Sequence, residues 1–153
     1  MMRHPALAYR QFSVQGSTPL ARVVMLYDGA ITFLHRAIAA LEAHDVQKKC
    51  DHLNRAQAII AQLEGSLNLA EGGEVAGTLG SFYGYARRRA LKANLENSTE
   101  MLRSLIEEFA TVRDAWREGE RRLATQNASP PTHDAGSGEG ARDSGTTTLS
   151  VFD

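Results

Sequence analysis

Apolar residues recur through Thr18–His44 in two rows, each stepping alternately by three and four positions. One row is Leu20, Val24, Tyr27, Ile31, Leu34, Ile38 and Leu41; the other is Val23, Leu26, Ala30, Phe33 and Ala37. At 3.6 residues per turn the rows lie side by side and cover roughly half of a helix circumference. A surface helix carries an apolar stripe of about 100°, so this one must touch more than one neighbour, as the central wall of a bundle does. Thr18 is placed to cap it, and Pro19 falls where its missing N–H costs nothing.

Three more helices follow from the same pattern. Asp45 caps a second that runs to about Leu67, with Val46, Cys50, Leu53, Ala56, Ile60, Leu63 and Leu67 in one stripe and Ile59 widening it. The joint before it is so short that the first two helices must be antiparallel neighbours. Gly72 and Gly73 close the next turn. A third helix is predicted from about Gly73 to Asn94, with Val75, Leu79, Phe82, Ala86 and Ala93 inward and Tyr83 and Ala90 on the flank. Asn97 with Glu100 reads as the capping pair of a fourth, which carries Leu102, Leu105, Phe109, Val112 and Trp116 and ends near Leu123. The predicted fold is all-α, an antiparallel up-down four-helix bundle.

The ends differ from this middle. Residues 1–17 form a short N-terminal cap segment whose Leu7, Tyr9, Phe12 and Val14 lie among polar residues, suited to rest on something apolar. It is too short to be a stable helix alone. The bundle domain spans 18–123. From Ala124 to Asp153 about half of the residues are Gly, Ser, Thr or Pro, a composition that cannot offset the entropy of ordering and predicts a disordered tail. The terminal Leu149-Ser-Val-Phe-Asp153 reads as the end of a plain tail, with a short docking motif as the alternative.

Charge and chemistry narrow the function. A formal net charge of −1 sets up no field that draws nucleic acid or membrane. Arg87, Arg88 and Arg89 are the only basic cluster and read as a solvated helix face. No apolar run is expected to span a membrane or serve as a signal peptide. The single Cys50 suits a reducing cytosol. No phosphate loop, HExxH or paired Glu-x-x-His is present, so no catalytic residue, metal or cofactor is expected. Cys50 and His52 point to different faces of a helix. His52 followed by Leu53 faintly suggests a histidine phosphotransfer bundle; a solvent-facing helical histidine is the simpler reading.

One feature is odd on physical grounds. Gly73, Gly77, Gly80 and Gly84 recur in steps of four, three and four, about 170° from the predicted core stripe. Each glycine inside a helix costs up to about 1 kcal/mol relative to Ala. Either the row floors a groove where another backbone approaches, or it is an exposed face.

Four segments together resemble the flagellin-specific export chaperones, the FliS family. They are MLYDGAITFLHRA (25–37), AQAIIAQLEGSLNLAEGGEVA (56–76), FYGYARRRALKAN (82–94) and the VRDAW that ends at Trp116. The likeness covers about Tyr9 to Trp116. It departs at the QGSTP turn, at Gly77, Gly80 and Gly84, and in the tail, onto which nothing of the family is carried. The resemblance implies a cytosolic, non-enzymatic chaperone, monomeric or weakly dimeric. Such a chaperone binds the disordered C-terminal region of flagellin, prevents premature polymerisation and presents the subunit to a component of the flagellar export gate. A generic helical adaptor remains the other class. The partner-binding residues expected from pattern and resemblance are Leu7, Tyr9, Phe12, Tyr27, Ile59, Leu63, Gly77, Gly80, Tyr83 and Gly84.

Overall fold

A computed structural model describes residues 18–128. It contains four helices, α1 Pro19–Glu42, α2 Val46–Gly65, α3 Leu69–Glu96 and α4 Thr99–Ala128. The caps explain the boundaries. Thr18 Oγ1 accepts from the Ala21 N–H at 3.1 Å, with Pro19 next to it. After α1 the chain reverses through His44 in the left-handed conformation (φ 57°), and Asp45 Oδ1 accepts from the Lys48 N–H at 3.0 Å to start α2.

The two later turns depart from expectation. Asn68 starts α3 early, accepting from the Glu71 N–H at 3.1 Å, and one helical turn follows. The helix then breaks at Gly73, whose φ of 57° and ψ of −133° suit only a residue without Cβ. At the other end α3 passes Asn94 and runs to Glu96, with Asn97 as its left-handed C-cap (φ 53°). Asn97 therefore does not cap α4. That role falls to Ser98, whose Oγ accepts from the Met101 N–H at 3.1 Å. α4 continues past Leu123 to Ala128. The cap segment 1–17 and the tail from 129 lie outside the described residues.

Cross-helix pairs set the topology. Asp28 meets Arg113 and Glu42 meets Arg103, so α1 and α4 are antiparallel. Gln57 meets Arg87, and Lys49 meets Asn97, so α2 and α3 are too. Contacts run α1–α2, α2–α3, α3–α4 and α4–α1, closing a ring in which α1 and α3 occupy opposite corners. The fold is the expected four-helix all-α bundle.

The core follows the predicted stripes of α1, α2 and α4. Leu34, Ile60, Leu63, Leu102, Leu105 and Phe109 have no more than trace exposure. By length and composition α1 also qualifies as a membrane span, contrary to expectation, yet half of that stretch faces the bundle interior. In α3 the inward row is Ala76, Leu79, Tyr83, Ala86, Ala90 and Ala93. Val75, expected inside, is 46% exposed, and Phe82 is half-buried on the flank. The helix is turned because Tyr83 has a partner inside: its hydroxyl lies 2.6 Å from that of Tyr27. A buried tyrosine needs such a partner and phenylalanine does not.

Candidate functional site

The turned α3 moves the glycine row as well. Measured against the inward residues now present, Gly77, Gly80 and Gly84 lie about 120° from the core, not opposite it, while Gly73 sits at the break before them. The row therefore runs along the shoulder of α3 that faces α2. A Cβ at Gly80 would come 3.5 Å from Leu67 Cδ1, one at Gly84 3.3 Å from Arg88 Nη1, and one at Gly77 would meet nothing within 4 Å.

Small residues face Gly84 across the seam. Ala58 and Ala61 on the exposed side of α2, with Gly84 and Leu91 on α3, line an open groove of about 640 Å³. Two helices normally fill such a seam by interlocking side chains; here the small residues leave part of it open. The rim is polar and tied down. Gln57 Nε2 donates to the Arg87 carbonyl at 2.9 Å, and Arg87 Nη1 to Glu64 Oε1 at 2.6 Å. Leu91 is 55% exposed, and Leu95 one turn on is 75% exposed. The groove is thus a shallow open trough, with Ala58, Ala61, Gly84 and Leu91 as its apolar part and Asn54, Gln57, Glu64, Arg87 and Arg88 as its polar part.

Two other recesses sit at the poles. One of about 360 Å³ between α1 and α2 is lined by Pro19, Arg22, Met25, Leu26 and Gln62, beside the point where residues 1–17 join the bundle. At the opposite pole Lys49, only 5% exposed, donates to the Asn94 carbonyl at 3.2 Å and to Asn97 Oδ1 at 2.7 Å. It fixes the C-terminal end of α3, where a cation is favoured.

The expected binding residues separate into three groups. Leu7, Tyr9 and Phe12 lie outside the described residues. Tyr27, Leu63 and Tyr83 are completely buried and present no surface. Their rings and branches belong to the core, with Tyr27 also packed on Phe109 at 5.4 Å between centroids. Ile59 is half-buried and directed at Gly29, where an added Cβ would come 3.1 Å from its Cδ1. Of the glycines, Gly84 lines the groove, Gly80 abuts Leu67 at its end, and Gly77 lies open to solvent. Ala58, Ala61 and Leu91, which also line the groove, are not among the expected residues. The signal for them was an alanine pair spaced by three on the polar face of α2, where longer polar side chains are the rule.

Burial dominates the ionisation of the tyrosine pair. It raises the pKa of Tyr27, partly offset by hydrogen bonding to Tyr83 and Trp116. It raises that of Tyr83 further, with repulsion and hydrogen bonding from Tyr27 adding to the effect. The pair is a neutral internal strut. His52 is half-buried and stacked on Phe33 at 6.1 Å, with its Nδ1 buried and without a hydrogen-bond partner among the described residues. It is therefore not the solvent-facing histidine expected, because the Phe33 ring covers one of its faces. Among the described residues no three His, Cys, Asp or Glu side chains converge on a metal position.

The bundle is closed at the core and carries this open trough on its α2–α3 face. Comparison with known proteins places the chain in a family. The sequence matches the family described as Flagellar protein FliS over residues 2–122. It is 36% identical over 117 residues to the Flagellar secretion chaperone FliS of Bacillus subtilis, covering 76% of this chain and 86% of that protein. It is 35% identical over 116 residues to the Flagellar secretion chaperone FliS of Salmonella typhimurium, covering 72% and 86%. The chain belongs to the FliS family of flagellar secretion chaperones.

Proposed function

We propose that this protein is a cytosolic, non-enzymatic chaperone that holds the C-terminal segment of flagellin, delays its polymerisation and hands it to the flagellar export gate. Family membership supports the client, and the open α2–α3 groove is the observation that carries the mode of binding. A disordered client segment folds on the groove, burying on the order of 1,000–3,000 Å² at an ordering cost of about 2–5 kcal/mol. Ala58, Ala61, Gly84 and Leu91 supply the apolar floor, Gly77 and Gly80 leave its end clear, and Ile59 with the buried Tyr27, Leu63 and Tyr83 stiffens the wall beneath. Release needs no nucleotide, because a competing site at the export gate draws the client away.

Calorimetry tests the reading. Flagellin should bind one to one with a large negative heat-capacity change, and flagellin lacking its C-terminal segment should not bind. Ala58→Leu and Gly84→Leu should each keep the bundle folded and weaken binding at least about tenfold, since a branched side chain takes the space of the client backbone. Equal binding by full-length and truncated flagellin would refute the client assignment; unchanged binding by both leucine variants would move the site off this seam.

A further inference from the structure

The tail beyond the bundle has a composition that answers the groove. Its aliphatic and aromatic residues, apart from alanine, are confined to Leu149, Val151 and Phe152, and it carries Asp134, Glu139, Asp143 and Asp153 against a single Arg142. The groove offers a partial converse: a small-residue floor of Ala58, Ala61 and Gly84 beside the exposed Leu91, an α3 edge bearing Arg87 and Arg88, and an α2 edge of Asn54, Gln57 and Glu64, the last engaged by Arg87. Arg87 is engaged by Glu64, whereas Arg88 has no ion pair among the described residues. The edge is therefore left with positive charge. The tail also lies beyond the stretch shared with the family, which ends at residue 122.

Reach is favourable. α4 ends at Ala128, and a random-coil chain of the length from there to Leu149 would have a root-mean-square length of about 25 Å. Helix rise and interaxial spacing put the middle of the groove on the order of 30 Å from that end. A tether whose length matches its span gives an effective concentration of about 1 mM. A docking motif with a dissociation constant of only about 0.1–1 mM is then bound half to nine-tenths of the time. Weak contacts suffice.

From these observations we infer that the segment Leu149–Asp153 docks in cis in the α2–α3 groove, its apolar side chains on the Ala/Gly floor and Asp153 toward Arg88, so that the chaperone's own tail competes with its client. The docking rests on the groove and the charges alone; the competition also rests on the proposed function. At the occupancy above, the tail weakens client binding about two- to tenfold.

Two measurements on the full chain test this and separate the parts. In the first, Cys50→Ser and Ser150→Cys are combined, a nitroxide is attached at position 150, and relaxation of the backbone amides is recorded. Signals of Ala58, Ala61, Gly84 and Leu91 should lose most of their intensity, while Thr32 and His35 on the outer face of α1 keep theirs. Adding Arg88→Glu should restore at least half of the loss. Broadening of another face, or none, overturns the docking, as does broadening that appears when labelled chain is mixed with unlabelled isotope-enriched chain, which would indicate a second copy. In the second, Leu149, Val151 and Phe152 are all replaced by Ser and a flagellin C-terminal peptide is titrated. Affinity should rise two- to tenfold; an unchanged affinity overturns the competition. A peptide that binds neither form refutes the client assignment and leaves the relaxation result to decide the docking.

Discussion

α1 and α3 stand at opposite corners of the same bundle and are held there by different physics. α1 buries ten residues, among them Leu20, Val23, Val24, Ile31, Leu34 and Ile38. α3 is longer and buries seven, five of them Gly or Ala. Full burial of a large aliphatic side chain contributes about 1.5–3 kcal/mol, and an alanine methyl far less. α3 is instead fastened by polar bonds at intervals: Tyr83 to Tyr27, the Arg87 carbonyl to Gln57, Tyr85 to Glu108, and its C-terminal end to Lys49. One corner of the protein is secured by area and the other by a few directional contacts. A helix whose inward row is mostly alanine has little area to give the core and must be held by such contacts.

The sharpest way to test that contrast is to cut area on each side. Leu34→Ala on α1, fully buried, should cost about 2–5 kcal/mol in chemical denaturation. Ala90→Gly on α3, equally buried, should cost only about 1 kcal/mol, mostly through helix propensity. Similar losses at the two sites would erase the distinction.

The next effect concerns the strut between the corners. Tyr27→Phe leaves the Tyr83 hydroxyl buried without its partner and should cost about 1–3 kcal/mol, whereas Tyr27→Phe with Tyr83→Phe should recover most of the loss. Both tyrosines are harder to ionise folded than unfolded, chiefly through burial. Unfolding therefore releases protons at alkaline pH. Their contribution is intact below about pH 10 and declines as pH rises above it, by up to about 1.4 kcal/mol per pH unit for each tyrosine. Wild type should consequently lose stability more steeply above pH 10 than the double phenylalanine variant, as followed by helical circular dichroism.

The smallest effects lie along the glycine row and have opposite signs. Gly77→Ala should stabilise by up to about 1 kcal/mol, because nothing stands within 4 Å of the new methyl. Gly73→Ala should destabilise by about 1–3 kcal/mol, since its backbone conformation excludes a Cβ. Thermal melting separates the two.

What could be read from the sequence depended on how the information is carried. Helix existence, the antiparallel order and the α1 core were legible because apolar periodicity over many turns leaves little choice of face. The rotation of α3 was not. Its stripe holds mostly Ala and Gly, so the phase was decided by Tyr83, expected on the flank but drawn inward to the Tyr27 hydroxyl. Asn97 was misplaced for a related reason: the same side chain suits an N-cap and a left-handed C-cap, and Ser98 beside it could take the first role. The glycine row was visible as an anomaly. Its counterpart on α2 was not, because alanine is at home anywhere in a helix and announces no groove until a second helix is laid beside it.

The ring of helix contacts has one seam unlike the rest. Three of its four neighbouring pairs are consecutive in sequence, while Asp28 and Arg113 across the fourth are 85 residues apart. Local hairpins form quickly, and a closure between distant segments is the slow step of such a topology. During synthesis, α1 therefore waits for the last helix with part of its double apolar row uncovered, and this is the helix apolar enough to cross a membrane. α4 is what commits it to the protein interior. A nascent chain halted before Phe109 should be the form that aggregates or partitions to lipid.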